Sequence, residues 1–170
     1  MNKKTVFITK AAVIGGIYTV LTLLAAVFGL AYSGVQFRFS EALTVLPLFS
    51  SAAVPGLTVG CIIANIFSSV TPLDTVIGSL ATLLAAICTR KTRHIKIKGI
   101  PVLSMSFPVI FNAIFIGAEI GFVSGEEAFW PVFLTNALTV GLGEALVVFT
   151  LGTLLIKFAE KNERLKKLLG

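Results

Sequence analysis

Long uncharged segments dominate the sequence, and their lengths indicate helices that cross a membrane. Apolar runs cover residues 11 to 35, 42 to 73, 99 to 118 and 128 to 156. A membrane-spanning helix needs about 20 mainly apolar residues, and these runs reach that length. The pattern therefore predicts an all-α integral membrane protein, a single transmembrane domain over residues 1–170, with lipid as the solvent for most of the chain.

The run from 41 to 89 is the hardest to divide into helices. If one helix covered 41 to 70, the basic loop at 90–98 would lie across the membrane from the lysine-bearing amino terminus, against the positive-inside rule. A helix break at Pro55-Gly56 adds one membrane crossing and returns the basic loop to the side of the amino terminus, although each short helix then spans only about 21 Å. The sequence thus predicts six transmembrane helices, at about 9–32, 41–54, 56–70, 74–89, 99–122 and 128–159.

The distribution of positive charge supports this topology and argues against a nucleic-acid partner. The chain has a net charge of +6, a mean hydropathy of +0.97 and only 13% charged residues. With six spans both termini are cytoplasmic, and every lysine and arginine except Arg38 lies on the cytoplasmic side. Orientation and anionic lipid headgroups explain the positive charge, so it indicates no nucleic-acid partner.

Cysteine and histidine give no sign of a metal site or of an enzyme. Cys61 and Cys88 lie in apolar segments without CxxC spacing, and His94 stands alone in a basic loop. Ser68 and Ser69 have no histidine near them that would act as a base. We therefore expect no disulfide, no metal, no cofactor and no catalytic residue.

Polar side chains at membrane depth are few, and a carboxyl group there is a candidate functional residue by default. Glu144 lies about 21 Å along the last helix from Trp130, near mid-membrane, and is flanked by Gly141 and Gly143. It is the first candidate ligand. The full set of intramembrane candidates is Asn65, Asp74, Asn112, Glu119, Asn136 and Glu144.

Several of these candidates have an ordinary structural interpretation as well. Asn65 is equally consistent with joining two helices and with binding a ligand. Asp74 follows a proline and precedes an apolar helix, which favours an N-cap. Glu119 lies near the outer interface, where water reaches it, and shares a helix face with Asn112. Trp130 is an interfacial tryptophan or a stacking lid over a ligand.

The stretch "VQFRFSEALTVLP" places two charges beside an apolar run. Ser40 is a predicted N-cap, and Glu41 in the first turn suits the helix dipole. Neither role explains Arg38, the one basic residue predicted outside. An Arg38–Glu41 pair at the mouth of a cavity would close the loop over a substrate or contact the substrate directly.

Two longer stretches carry a family resemblance. "VQFRFSEALTVLPLFS", followed by "PGLTVGCIIANIFSSVTPLDTVIGSLATLLAA", resembles the QueT family, which are substrate-binding membrane subunits (S components) of energy-coupling factor transporters. The resemblance implies a six-helix S-component bundle in a prokaryotic plasma membrane. It also implies an outward-facing pocket and import of queuosine precursors, the 7-deazaguanines preQ0, preQ1 or queuine.

The same resemblance implies protein partners, namely a transmembrane coupling subunit and two cytoplasmic ATPases. Docking on the first helix would use small residues spaced four apart, which permit close helix approach. "KAAVIGGIY" supplies Ala12 with Gly16, and Ala11 with Gly15. The chain has no phosphate-binding P-loop, so ATP hydrolysis belongs to the partners.

A guanine-like edge has two parallel N–H donors, which a glutamate accepts with both oxygens. Glu144 with Asn136 or Asn112 fits that role, Glu119 or Glu41 suits a cationic substituent, and Trp130 suits the ring. Two other functions remain open from the residues. One is an S component for a different vitamin or nucleobase, and the other is a membrane scaffold.

Overall fold

The computed structural model describes residues 2–30, 37–67 and 72–169, and every element in these ranges is helical. The predicted ends of the first and third helices, at 32 and 70, lie outside the described residues, as does the first half of the first outer loop. The elements are α1 (Lys3–Val27), a 3-10 helix (Phe39–Leu48), α2 (Ala53–Ile66), α3 (Pro72–Lys91), α4 (Val102–Val123), α5 (Phe129–Val147), α6 (Thr153–Lys161) and α7 (Glu163–Leu169).

Four helical segments of the described chain are long and apolar enough to cross a membrane. They are Lys3–Val27, Pro72–Lys91, Val102–Val123 and Glu126–Lys161, the last formed by α5 and α6 joined through a π-helical turn. The 3-10 helix and α2 are apolar but shorter. The predicted all-helical membrane protein is confirmed at this level, whereas six spans and cytoplasmic termini stay predictions.

The second predicted helix differs from expectation in type and in length. A helix over 41–54 was expected, but the chain forms a 3-10 helix that ends at Leu48, and α2 begins at Ala53. The break therefore comes before the predicted Pro55-Gly56, and that prediction was wrong. Both residues lie in the first turn of α2, where a proline costs no hydrogen bond because the N–H it lacks has no partner there.

The 3-10 helix lies at the centre of the bundle. It packs against α1, α2, α3, α4, α5 and α6, and most of its side chains are buried. Near its first residue, Arg38 forms an ion pair with Asp74 at the start of α3. Near its last residue, the Arg90 guanidinium at the end of α3 donates to the carbonyl oxygens of Pro47 and Leu48, at 3.0 and 3.3 Å. The 3-10 helix and α3 therefore run in the same direction, side by side.

Helices α1 and α2 approach each other closely at their glycines. A Cβ placed on Gly15 would lie 2.8 Å from the carbonyl oxygen of Gly56, and one on Gly60 would lie 2.6 Å from that of Gly15. A Cβ on Gly56 would lie 2.7 Å from the carbonyl oxygen of Ala11. Ala11 and Gly15 were predicted to face a partner protein, and this was wrong because α2 covers them.

The neighbouring pair on α1 has the opposite environment. Ala12 and Gly16 are exposed, and a Cβ on Gly16 would meet no atom within 4 Å. A step of one residue, about 100° around the helix, therefore separates a small-residue face used inside the protein from a small-residue face left open. The open face consists of Ala12 and Gly16 and keeps the spacing that permits another helix to approach closely.

Candidate functional site

Glu41 is buried in the middle of the bundle and held by α1. Glu41 is 1% exposed, and the hydroxyl of Tyr18, a residue that is 0% exposed, donates a hydrogen bond to Glu41 Oε1. A second hydrogen bond joins α1 to the 3-10 helix, from the Thr22 hydroxyl to Ser40 Oγ at 2.7 Å. Glu41 lies in the first turn of the 3-10 helix, as predicted, but Ser40 does not cap it, because Arg38 occupies the N-cap position.

Arg38 faces inward as well, and it lies within ion-pair distance of Asp74. Arg38 Nη2 lies 3.7 Å from Asp74 Oδ2, with side-chain exposures of 6% and 4%. Asp74 lies within the first turn of α3. The predicted capping role of Asp74 was wrong: the residue is a buried counter-ion that links the loop before the 3-10 helix to α3.

Glu144 is the third buried carboxyl group, and it is contributed by α5. Its side chain is 3% exposed, and Asn112 Nδ2 on α4 donates to Glu144 Oε1 at 2.8 Å. Glu144 also interacts electrostatically with both Glu41 and Arg38. These hydrogen bonds, the ion pair and the electrostatic interactions link six buried residues, which we call the buried polar cluster: Tyr18, Arg38, Glu41, Asp74, Asn112 and Glu144.

Among the described residues, Oδ2 of Asp74 accepts no hydrogen bond but lies within ion-pair distance of Arg38, and two further carboxylate oxygens of the buried polar cluster have neither contact. In the described part of the chain, no group donates a hydrogen bond to Oε2 of Glu41 or to Oε2 of Glu144. A buried acceptor without a donor costs about 1–3 kcal/mol, and more when it is charged. An arrangement of this kind is suited to a ligand that brings its own N–H donors.

Asn65 lies beside the buried polar cluster, where it contacts the backbone of Asp74. Its amide nitrogen lies 3.0 Å from the carbonyl oxygen of Asp74 and 3.6 Å from Cys61 Sγ. The same nitrogen lies 3.0 Å from the position a Cβ on Gly78 would take, so the glycine makes room for the amide. Asn65 therefore joins α2 to α3, which was one of its two predicted roles.

Three further predicted residues lie on α4 and α5. Glu119 is 5% exposed, so it is buried rather than hydrated as predicted, on the face of α4 that also carries Asn112. Asn136 is half-buried and donates to the carbonyl oxygen of Val132 in its own helix. Trp130 is 67% exposed and makes ring contacts with Phe129 and Phe133 at the start of α5.

Tyr18 was missed by the sequence reasoning although a signal was present. Interfacial tyrosines lie near helix ends, whereas Tyr18 lies in the middle of α1. It also shares a face with Gly15 and Thr22, at spacings of three and four. A tyrosine in the middle of a membrane-spanning helix needs a hydrogen-bond partner for its hydroxyl. Glu41, the first acidic residue after α1 in the sequence, can be that partner.

No group of three or more His, Cys, Asp or Glu side chains in the described ranges is arranged to hold a metal ion. Cys61 and Cys88 are free thiols. The buried polar cluster thus offers one guanidinium and three carboxyl groups, with neutral donors from Tyr18 and Asn112, as a surface for an organic molecule.

Comparison with known proteins agrees with this membrane architecture. The family model described as QueT transporter matches residues 8–161. The protein named Queuosine precursor transporter QueT from Lactococcus lactis subsp. cremoris (strain MG1363) is 35% identical over 83 residues, which is 49% of this chain and 48% of that relative. The match thus spans about half the length of that relative. No solved structure matches the chain. Since the family model covers nearly the whole chain, the protein belongs to the QueT transporter family.

Proposed function

We propose that this protein is the substrate-binding subunit of an energy-coupling factor importer and captures a queuosine precursor on the outer side of a prokaryotic plasma membrane. Membership of the QueT transporter family supports a transport function. The name of the Lactococcus lactis relative supports the substrate class. Recognition of a 7-deazaguanine rests on one structural observation, the pair of buried glutamates with open oxygens.

The chemistry of Glu144 suits the guanine-like edge of the base. That edge has N1–H and an exocyclic amine side by side, and a carboxylate accepts both at once. Asn112 holds Oε1 of Glu144 at 2.8 Å and thereby orients the carboxylate, which keeps Oε2 directed to a ligand. The same asparagine has a carbonyl oxygen to accept a further ligand N–H. The proposed ligand contacts are therefore Glu144 and Asn112, with Glu41 and Arg38 beside them.

Uptake needs partners, because the chain contains no phosphate-binding P-loop that would couple transport to ATP. We propose that a transmembrane coupling subunit and two cytoplasmic ATPases supply this energy. The open small-residue face of α1, Ala12 and Gly16, is the proposed docking surface. Ala11 and Gly15 are no longer part of it, because α2 covers them.

Titration of the detergent-purified protein with 7-deazaguanine bases, guanine and riboflavin tests this function. We expect binding confined to 7-deazaguanines. Glu144→Gln is expected to weaken it about 10- to 100-fold, because one charge-assisted acceptor is lost. Glu127→Gln is the matched control, since Glu127 is exposed in the loop before α5. Fluorescence-detected thermal unfolding of each variant shows that both are folded.

Each outcome of this titration has a separate meaning. Unchanged binding in Glu144→Gln would keep the substrate class and remove Glu144 from the site. Absence of binding to every 7-deazaguanine would refute the proposed substrate. Riboflavin binding would identify a subunit for a different vitamin.

A further inference from the structure

Charge within the buried polar cluster is unbalanced. It holds three carboxyl groups, Glu41, Asp74 and Glu144, against the single guanidinium of Arg38. Arg38 lies within ion-pair distance of Asp74. The donors to Glu41 and Glu144 in the described part of the chain are the neutral groups of Tyr18 and Asn112. The two glutamates interact electrostatically with each other and with Arg38, so one guanidinium serves three carboxyl groups.

Such a pair is unfavourable inside a membrane protein unless a positive charge joins it. Like charges at short range repel, and the low dielectric of a buried site strengthens the repulsion. Glu41 and Glu144 are 1% and 3% exposed, so water compensates neither of them. Both have an Oε2 atom that accepts no hydrogen bond within the described ranges. What the site lacks is a cation that also donates hydrogen bonds.

The cation is better supplied by an organic ligand than by a metal ion. Within the described residues no three His, Cys, Asp or Glu side chains are grouped as metal ligands. Instead, each glutamate has one oxygen held by a neutral side chain and the other left open. An ammonium group has a positive charge and three N–H donors, which suit the open Oε2 of Glu41, while the neutral N–H groups of a guanine-like edge suit that of Glu144.

We propose that Glu41, acting beside Glu144, makes this protein selective for queuosine precursors that have a protonated amine on the 7-substituent. This inference rests on the function proposed above. The guanine-like edge occupies Glu144 and Asn112, and the ammonium group binds Oε2 of Glu41. A precursor with a 7-nitrile has no positive charge and leaves Glu41 without a partner, so it binds more weakly.

The test compares three ligands that share one ring system. They are the 7-aminomethyl base, its 7-hydroxymethyl isostere, which is neutral but of nearly the same size, and the 7-nitrile base. We expect the aminomethyl base to bind about 10- to 100-fold tighter than either neutral base, the range that a charge-assisted hydrogen bond provides. Calorimetric titration of the full chain in detergent gives the three dissociation constants.

Variants then assign the preference to one residue. In Glu41→Gln, which still accepts from Tyr18, the ratio of the aminomethyl to the hydroxymethyl constant is expected to fall towards one. In the control Glu127→Gln the ratio is expected to stay as in the parent. Thermal unfolding of each variant confirms that the ratio is measured on folded protein.

The results separate this inference from the proposed function. If the nitrile base binds as tightly as the aminomethyl base, or the ratio survives in Glu41→Gln, the charge selectivity is overturned while the function stands. If no 7-deazaguanine binds, both fall. A preference for the aminomethyl base that is lost in Glu41→Gln supports both.

Discussion

Each carboxyl group in the buried polar cluster is held by one neighbour from a different part of the chain. Tyr18 of α1 donates to Glu41, Asn112 of α4 donates to Glu144, and Arg38 pairs with Asp74. These contacts fix which oxygen of each glutamate is engaged and which remains open. The individual side chains thus set both the stability of the bundle interior and the shape of the proposed binding surface.

Replacing Tyr18 with phenylalanine tests this dependence at a single atom. Tyr18→Phe keeps the ring but removes the donor to Glu41, so a buried carboxyl group loses its partner. We expect the free energy of unfolding to fall by about 1–3 kcal/mol. Chemical or thermal unfolding in detergent measures the loss.

The control for Tyr18→Phe is Thr135→Val, which removes an exposed hydroxyl that bonds only within its own helix turn. Its expected effect is close to zero. Equal stability of Tyr18→Phe and the parent protein would show that the hydroxyl contributes nothing to the fold.

Sequence reasoning identified the buried acids but not their partners. Glu144 was predicted because a carboxyl group in an apolar run has no water, and that argument needs only local sequence. Asp74 was taken for an N-cap because an acid in a first helical turn suits both roles. Its true partner, Arg38, lies far away in the sequence, and no local pattern indicates a contact of that range.

The 3-10 helix is the element that sequence predicted least well. Residues 39 to 48 include just three polar side chains, Ser40, Glu41 and Thr44, and these are buried like their apolar neighbours. Over so short a segment, periods of 3.0 and 3.6 residues cannot be told apart. The long helices were predicted more closely, since their length alone identifies them.

Two adjacent glycines of α1 provide a test of element packing. Gly15→Ala places a methyl group 2.8 Å from the Gly56 carbonyl oxygen and forces α1 and α2 apart. We expect it to lower the free energy of unfolding by about 1–3 kcal/mol. Gly16→Ala adds the same methyl where nothing lies within 4 Å. There, helix propensity favours alanine over glycine by up to about 1 kcal/mol.

Unfolding of both alanine variants under identical detergent conditions measures the contrast. Similar stabilities for the two would mean that α1 and α2 do not approach as closely as the structure places them.

At the scale of the whole molecule, one face of α1 packs against α2, and the neighbouring face, Ala12 and Gly16, is exposed. Gly16→Leu fills the open face and is expected to prevent assembly with the coupling subunit, while 7-deazaguanine binding by the isolated protein persists. Co-purification with tagged partner subunits measures assembly. Thr135→Leu, which enlarges an exposed residue on α5, is the control. Normal assembly of Gly16→Leu would place the docking surface elsewhere.

The attachment of the 3-10 helix at both ends to α3 explains its unusual geometry. From Asp74 to Arg90, α3 rises about 24 Å at 1.5 Å per residue. A 10-residue segment rises about 20 Å as a 3-10 helix but only about 15 Å as an α-helix. The tighter winding therefore gives the segment enough length to reach both arginine contacts. The 3-10 helix therefore nearly matches the length of α3 between Asp74 and Arg90. A change to α-helical winding would shorten it and break one of its two contacts with α3.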